Sequence, residues 1–458
     1  MTQPAPAPSA ISLRDYQHDL VRRVREEMRR GHKRVVAVSP TGSGKTRVGA
    51  FIVASAIGMG RRVLWLAHRT ELCDQACRTI HGFGLPVGCI SASSKWPSNP
   101  DAPVQVASIQ TLCARETHRP ASDLIVWDEC HHCSEAAELW SGLLDAYQGV
   151  PMIGLTATPE RGDGAGLSPL FNGIVTGATV RQLTEQGHLV PCEIVRPGRM
   201  LENGQIAQHP LAAYQEHGGG RPCIVFARTV EEARAYAAEF TAAGHRAECI
   251  TATTPAGDRE IALELYRRGV VRVLTNVYVC TEGTDLPMAA VCILARGAGS
   301  AGIYIQMVGR VLRPSHGKSS ALLLDLRGVS HVHGAPEEER AYSLDGRGIT
   351  LTQQRHCQVC QQPVDSYPCE SCGYAPAGGD QAETTIVNEP MAKFQRMLAQ
   401  SPAQREETLR RWVARALDAG HKVTSVKYRW AAVYKEELSS ARLMAAVTDV
   451  NRDRESRA

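Results

Sequence analysis

The chain lacks any apolar run approaching the ~18 residues of a membrane span, so no transmembrane helix is expected. Its opening residues, Met1-Thr-Gln-Pro-Ala-Pro-Ala-Pro, have neither a basic start nor an apolar stretch. They read as a short disordered leader, not a signal peptide. Strong charge of either sign is also missing. A net charge of +4 permits a nucleic-acid partner but does not argue for one, so any such binding must use local basic surfaces. No internal repeat is visible. Fifteen cysteines look abundant, yet only four are grouped; the others are scattered through helix-like and strand-like segments, where a free thiol packs as a small hydrophobe. A soluble, intracellular protein in a reducing compartment is expected.

The 458 residues predict about three domains at roughly 150 each, and an apolar fraction of 43% is ample for real cores. Strand-like runs at Val35–Val38, Val63–Ala67, Val104–Ala107, Leu124–Trp127 and Met152–Leu155 alternate with amphipathic stretches such as Leu13–Arg30 and Thr70–Phe83. That alternation predicts an α/β fold with a doubly wound parallel sheet. The polar stretch Gln205–Gly220, ending in three glycines, reads as the tail of a linker. A second alternating block follows, with strands at Cys223–Phe226, Ala247–Thr251, Val271–Thr275, Val291–Leu294 and Ala321–Asp325. Its helices are Glu231–Ala243, Arg259–Arg268 and Ile303–Leu312. The expected boundaries are a leader over 1–10, a first domain over 11–200, a linker over 201–220, a second domain over 221–350, a cysteine module over 351–380 and a helical basic region over 381–458.

Two motifs carry the chemistry. Ser39-Pro40-Thr41-Gly42-Ser43-Gly44-Lys45-Thr46 follows the first apolar run. Gly42 and Gly44 let a backbone approach phosphates, Lys45 supplies charge for β and γ oxygens, and Thr46 offers a hydroxyl to magnesium. The strict phosphate-loop pattern fails at its first position, Ser39, but a strand before and a helix after outweigh a chance Gly-Ser-Gly-Lys loop. Asp128-Glu129 follows Leu124–Trp127; Asp128 is expected to hold magnesium and Glu129 to orient or deprotonate the attacking water. Leu13-Arg14-Asp15-Tyr16-Gln17 opens the first helix, where a glutamine amide can read an adenine edge. Gln306, Arg310 and Arg313, spaced four and three apart, share one helix face.

These motifs, in this order from Leu13 to Arg313, resemble superfamily 2 helicases and translocases of the DEAD/DEAH-like group. The resemblance implies two RecA-like domains with ATP and Mg2+ between them. It assigns adenine reading to Arg14 and Gln17, and phosphate binding to Thr41, Gly42, Ser43, Gly44, Lys45 and Thr46. Asp128–His131 is then motif II in a DECH form, with His131, Thr156 and Thr158 coupling the nucleotide to nucleic acid. Cys130-His131-His132-Cys133 is accordingly read as part of that motif rather than as a metal cluster. Motif V contributes Gly283 and Asp285; motif VI contributes Gln306, Arg310 and Arg313, the arginines reaching the γ-phosphate on domain closure. Strand contacts are implied for His68, Arg69, Ser108, Gln110, Thr111, Arg228, Thr275 and Thr281. More narrowly, Thr156–Gly164, Glu282–Pro287, Leu324-Asp325 with His333-Gly334, and the cysteine module resemble RadD-type DNA helicases of bacteria and phages. A bacterial or phage-infected cytoplasm is the setting this implies.

Cys357-x-x-Cys360 and Cys369-x-x-Cys372 are eight residues apart. Two such knuckles complete a tetrahedron around Zn2+, giving a small zinc-ribbon-like module; a redox role needs only one pair. From Pro390 to Ala458, fourteen Lys/Arg stand against eight Asp/Glu, with Trp412, Tyr428, Trp430 and Tyr434 interleaved among Lys422, Lys427, Arg429 and Lys435. This pattern suits a strand-binding tail, a helical bundle with a solvated basic face, or a docking site for a protein partner. The leading expectation is a monomeric ATP-dependent helicase or translocase acting on single-stranded or branched DNA. An RNA helicase, and an ATP-gated clamp that recruits partners without unwinding, are the competing readings. A restriction-complex motor is conceivable, but no nuclease motif is present.

Overall fold

The computed structural model describes residues 12–114, 119–132, 143, 145–161, 166–281, 283–345, 384–394 and 438–455, the backbone of 355–356 and 363–364, and scattered positions between 406 and 427. The chain divides into two compact units, Met1–Ala392 and Lys393–Ala458. The first contains two large sheets.

The first sheet comprises β1 (Arg34–Val38), β2 (Val63–Ala67), β3 (Val87–Ile90), β4 (Val104–Ser108), β5 (Leu124–Asp128), β6 (Met152–Thr156) and β7 (Gly173–Thr176). Their order is β3-β4-β2-β5-β6-β1-β7, with every pairing parallel. Parallel strands need crossovers, and the helices α1 (Asp15–Arg29), α2 (Lys45–Gly58), α3 (Thr70–Gly82) and α4 (Ile109–Ala114) flank or connect them. Both faces are buried, which is why the strands read as unbroken apolar runs. Val35, Ala37, Val63, Trp65 and Ala67 point into one core; Val36, Val38, Leu64 and Leu66 point into the other. Alternation at period two therefore sorts one run into two cores.

After α5 (Val180–Glu185) the chain enters the second sheet. Its strands are β8 (Cys192–Pro197), β10 (Cys223–Phe226), β11 (Ala247–Ile250), β12 (Val273–Asn276), β13 (Val291–Leu294) and β14 (Ala321–Asp325), with the short β9 (Gln205–Ile206) lying outside it. The order is β11-β12-β10-β13-β14-β8, parallel throughout, with Met391–Lys393 at the far edge. Helices α6 (Pro210–Ala213), α7 (Val230–Ala242), α8 (Ala256–Arg267), α9 (Ala301–Gly309) and α10 (Ser330–His333) accompany these strands. Both domains thus have the expected doubly wound α/β form.

The linker expected over 201–220 is corrected by the structure. β8 already pairs with β14, and the segment after it is part of the second core. Ile206, Ala213 and Tyr214 are buried there against Tyr236 and Phe240. The last helical turn widens to a π-helix at Tyr214–Gly218, and a Cβ at Gly218 would lie 2.4 Å from the Tyr214 ring. Polar residues and glycines disguised this segment because few apolar anchors hold it. The segment after the second sheet also departs from its expected place: Tyr342 and Leu344 pack on the first domain's core, where the Ser168 amide donates to the Leu344 carbonyl at 2.9 Å.

Further along, Arg355–His356 pairs antiparallel with Pro363–Val364. The four grouped cysteines, Cys133 and the tail aromatics Trp412, Tyr428, Trp430 and Tyr434 lie outside the described residues. In the second unit, the helix α11 (Ser440–Glu455) contributes Leu443, Ala446 and Val450 to a small apolar core with Leu409, Val413, Val426 and Leu438. Among the described residues, no helix is long and apolar enough to cross a membrane.

Tyr214 tests the corrected boundary. Its hydroxyl donates to the Arg221 carbonyl at 2.6 Å and its ring meets Phe240 edge-on. Tyr214→Ala is expected to cost about 3–5 kcal/mol in urea unfolding, as truncation of a buried aromatic does. A loss under ~1 kcal/mol is what a flexible linker would give instead.

Candidate active site

The motif residues collect where parallel strands end. Ser39 follows β1, His68 follows β2, Asp128 closes β5 and Thr156 closes β6. Loops at these carboxyl ends are where α/β sheets bind ligands. Gly42 and Gly44 take φ of +88° and +84°, left-handed values where other residues are strained. Gly44 caps α2 without a side-chain bond, leaving the first amides of a 14-residue helix available for an anion. Inside the loop, the Ser39 hydroxyl donates to the Ser43 hydroxyl at 2.7 Å, and the Ser39 amide reaches the Thr156 carbonyl at 2.9 Å.

Lys45 and Asp128 are both buried. The Lys45 ammonium lies 3.5 Å from Glu129 Oε1. Glu129 stands at φ +49°, one of two non-glycine residues with positive φ among those described, and its amide donates to its neighbour Asp128 at 3.1 Å. That backbone turn costs energy and is characteristic of functional positions. Glu129 Oε2 is buried without a hydrogen bond, 3.4 Å from His131 Nδ1. A glycine-lined anion cradle, a buried lysine and two adjacent carboxylates fit a nucleoside triphosphate with magnesium. Thr46 and Asp128 would hold the ion and Lys45 the phosphates, while Glu129 would orient the attacking water. Magnesium would neutralise charge developing on the phosphates.

The second domain reaches this loop directly. The Gln306 amide nitrogen lies 3.0 Å from His131 Nε2, and His131 Nδ1 lies 3.0 Å from the Thr156 hydroxyl. The Thr156 hydroxyl in turn donates to the Thr158 carbonyl at 2.7 Å. A Cβ on Gly309 would sit 2.6 Å from Thr41 Cβ, and one on Gly302 would sit 2.8 Å from the Thr158 hydroxyl. Only glycine lets α9 lie this close to the phosphate loop. Arg313 packs against Gly42 and pairs with Asp285. Arg310 is buried, donating Nε and Nη1 to the carbonyls of Thr281 and Thr284 at 2.9 Å each. Gly283, at φ +70°, sets this turn beside Glu71 and Leu72 of α3.

Several expected residues occupy other roles. Gln17 does not face open space: its Nε2 donates to the Ser43 carbonyl at 2.8 Å, and its Oε1 accepts from the Arg14 amide at 3.0 Å. It braces the phosphate loop, as does Tyr16, whose hydroxyl donates to the same carbonyl. Thr275 is corrected as a strand contact. It is fully buried, and its hydroxyl is committed to the Ala233 carbonyl at 2.6 Å. Arg228 is likewise committed, its mostly buried guanidinium 3.1 Å from Glu232. Thr281 is also buried, in the turn that carries Arg310. In the first domain, the Ser108 hydroxyl donates to the exposed Gln110, Thr111 accepts from the Ala92 amide, and Arg69 caps α3. His68 stacks on His132 with centroids 3.8 Å apart, and His132 leans on His131 at 4.2 Å.

Sequence reasoning gave Gly309 no role of its own and missed Lys318 altogether. The Lys318 ammonium donates to the carbonyls of Pro287, Ala289 and Arg313 at 3.0, 2.5 and 2.7 Å, tying the segment after Asp285 to Arg313, which lies beyond the end of α9. A glycine within a motif was the visible signal for the first; nothing in the sequence marked Lys318. Glu160, just beyond Thr158, has its carboxyl pushed up to about 7 by burial, which outweighs the attraction of Arg340.

Gly309→Ala is the sharpest test of the interdomain contact. The added methyl must push α9 off Thr41, so kcat for nucleotide hydrolysis is expected to fall by about 100-fold. The unfolding midpoint is expected to stay near that of the native protein. Unchanged kcat would show that α9 need not approach the loop.

A family model described as "Type III restriction enzyme, res subunit" matches residues 10–161, and one described as "Helicase conserved C-terminal domain" matches 206–315. The putative ATP-dependent helicase IRC3 of Saccharomyces cerevisiae is 26% identical over 71% of this chain and 52% of its own length. A putative DNA 3'-5' helicase Rad25 of Haloarcula marismortui is 27% identical over 75% of this chain and 57% of its own. The chain therefore spans little more than half of either relative. A fragment of a putative HsdR subunit of a type I restriction enzyme from Vibrio vulnificus shares the fold, with a TM-score of 0.55 at 20% identity, covering 74% of this chain and 68% of that one. Matches that run through both sheets make this chain a member of the superfamily 2 helicases of the DEAD/DEAH-like group.

Proposed function

We propose that the chain is a monomeric, cytoplasmic DNA translocase or helicase of the RadD type, working on single-stranded or branched DNA. The observation that carries this reading is the seating of α9 on the phosphate loop, with Gln306 bonded to His131. A nucleotide arriving between Lys45 and Arg313 would alter that seating. Hydrolysis would alter it again, and alternation between two domain arrangements is what converts nucleotide turnover into stepping. The strand would cross the carboxyl-end rim of both sheets, where His68, Arg69, Gln110 and Thr111 stand in the first domain. Contact with phosphates should make binding fall steeply with salt and depend little on sequence. DNA is favoured over RNA by the RadD-like motifs from Thr156 to Pro287 and by the DNA helicase among the relatives.

In this reading Cys357, Cys360, Cys369 and Cys372 hold one structural zinc. The antiparallel pairing of Arg355–His356 with Pro363–Val364 supports it, because the two paired segments bracket Cys357 and Cys360 in the sequence. The second unit, basic and with its own apolar core, would add backbone affinity or dock a protein.

ATP turnover measured with single-stranded, duplex and branched DNA and with RNA tests the proposal. Stimulation of at least about tenfold by single-stranded or branched DNA is expected, an order-of-magnitude coupling of the usual allosteric size. Lys45→Ala and Glu129→Gln should abolish turnover with every polymer. Stimulation by RNA alone would replace DNA with RNA, and no stimulation by any polymer would refute the motor reading. Elemental analysis should find about one zinc per chain; a folded, zinc-free preparation would remove the metal from the account.

A further inference from the structure

The second domain's predicted strand contacts, Arg228 and Thr275, are committed inside the protein, yet the same rim carries a side-chain pair, Tyr278 and Arg296, to which the motif reading gives no role. β12, β10 and β13 are neighbours in the sheet, and their carboxyl ends lead into Val277-Tyr278, Ala227-Arg228 and Ala295-Arg296. Arg296 lies across all three ends. Its Nη1 donates to the carbonyls of Val277 and Ala227 at 3.1 and 3.5 Å, and its Nε to the Gly297 carbonyl at 3.2 Å. The guanidinium carbon stands 3.6 Å from the centroid of the Tyr278 ring, and Nη2 also reaches the Tyr278 hydroxyl. Tyr278 remains 42% exposed, one of the large hydrophobic residues left open among those described. It sits three residues before Thr281, whose carbonyl holds Arg310.

We propose that Tyr278, backed by Arg296, is a stacking platform for a base of single-stranded nucleic acid on the second domain. The inference rests on the reading that the chain binds a strand along this rim. An aromatic ring accepts any base, because every base presents a π-face, so the platform would grip without reading sequence. A guanidinium fixed by backbone carbonyls holds the ring before the ligand arrives, which lowers the entropy lost on stacking. The residue lies within the motif V segment, Thr275–Pro287. A base held there would therefore sense the same turn that positions Arg310 and Asp285.

The test compares two fluorescein-labelled oligonucleotides of equal length, one of thymidines and one of abasic residues. Each is titrated by anisotropy at fixed salt with a non-hydrolysable ATP analogue. The native protein should bind the thymidine strand about tenfold more tightly than the abasic one, the size of one stacked base. Tyr278→Ala should lose that difference and leave abasic binding unchanged; Tyr278→Phe should keep it. If the native protein prefers thymidines and Tyr278→Ala preserves the preference, or weakens both strands equally, the platform is wrong while the nucleic-acid reading stands. Failure of the native protein to bind either strand would overturn both.

Discussion

The hydrogen-bonded chain from Gln306 through His131 to Thr156 is the contact on which the rest of the site depends. It joins a helix of the second sheet to the ends of two strands in the first. Without it, Lys45, Asp128 and Glu129 form half a nucleotide site, with no arginine from the second domain beside it. With it, Arg313 lies against Gly42 and α9 touches Thr41. Each of these bonds alone contributes about 1 kcal/mol. That small size suits a contact that must be made and broken as the nucleotide changes.

Close approach requires small residues, and the structure spends them at the interface. Gly302 and Gly309 let α9 lie against Thr158 and Thr41, while Gly42 accepts the Arg313 stem. Glu129 takes the opposite course, holding a carboxylate side chain at a left-handed backbone position so that Oε1 faces Lys45. Behind these residues, two parallel sheets with closely packed, buried strands supply a rigid base for the loops. The carbonyls of Ser43, Thr281 and Thr284, which accept from Tyr16, Gln17 and Arg310, then convert side-chain positions into loop positions.

Much of this was legible in the sequence where the physics is local. Buried parallel strands announce themselves as short apolar runs, so Cys223–Phe226, Val291–Leu294 and Ala321–Asp325 were placed to the residue. The glycines, lysine and carboxylates of the loop ends followed because their chemistry leaves few alternatives. What sequence could not give was commitment to a partner. Thr275 and Arg228 sit in motifs associated with strand contact, yet a carbonyl from α7 and the carboxylate of Glu232 claim them. Ile206 and Tyr214 looked like linker residues because burial there depends on β8, which belongs to the second sheet although it precedes the segment in the chain. Lys318 had no local signature, since its three carbonyl acceptors come from positions spread over the preceding thirty-one residues.

The central claim is that the two sheets make one site through Gln306 and His131. A double-mutant cycle on kcat for ATP hydrolysis measures that coupling most directly, using Gln306→Ala, His131→Ala and the pair. If the two side chains act as one link, the double variant will lose no more activity than the worse single variant. If the two losses in activation free energy add, Gln306 and His131 work independently and the account is contradicted.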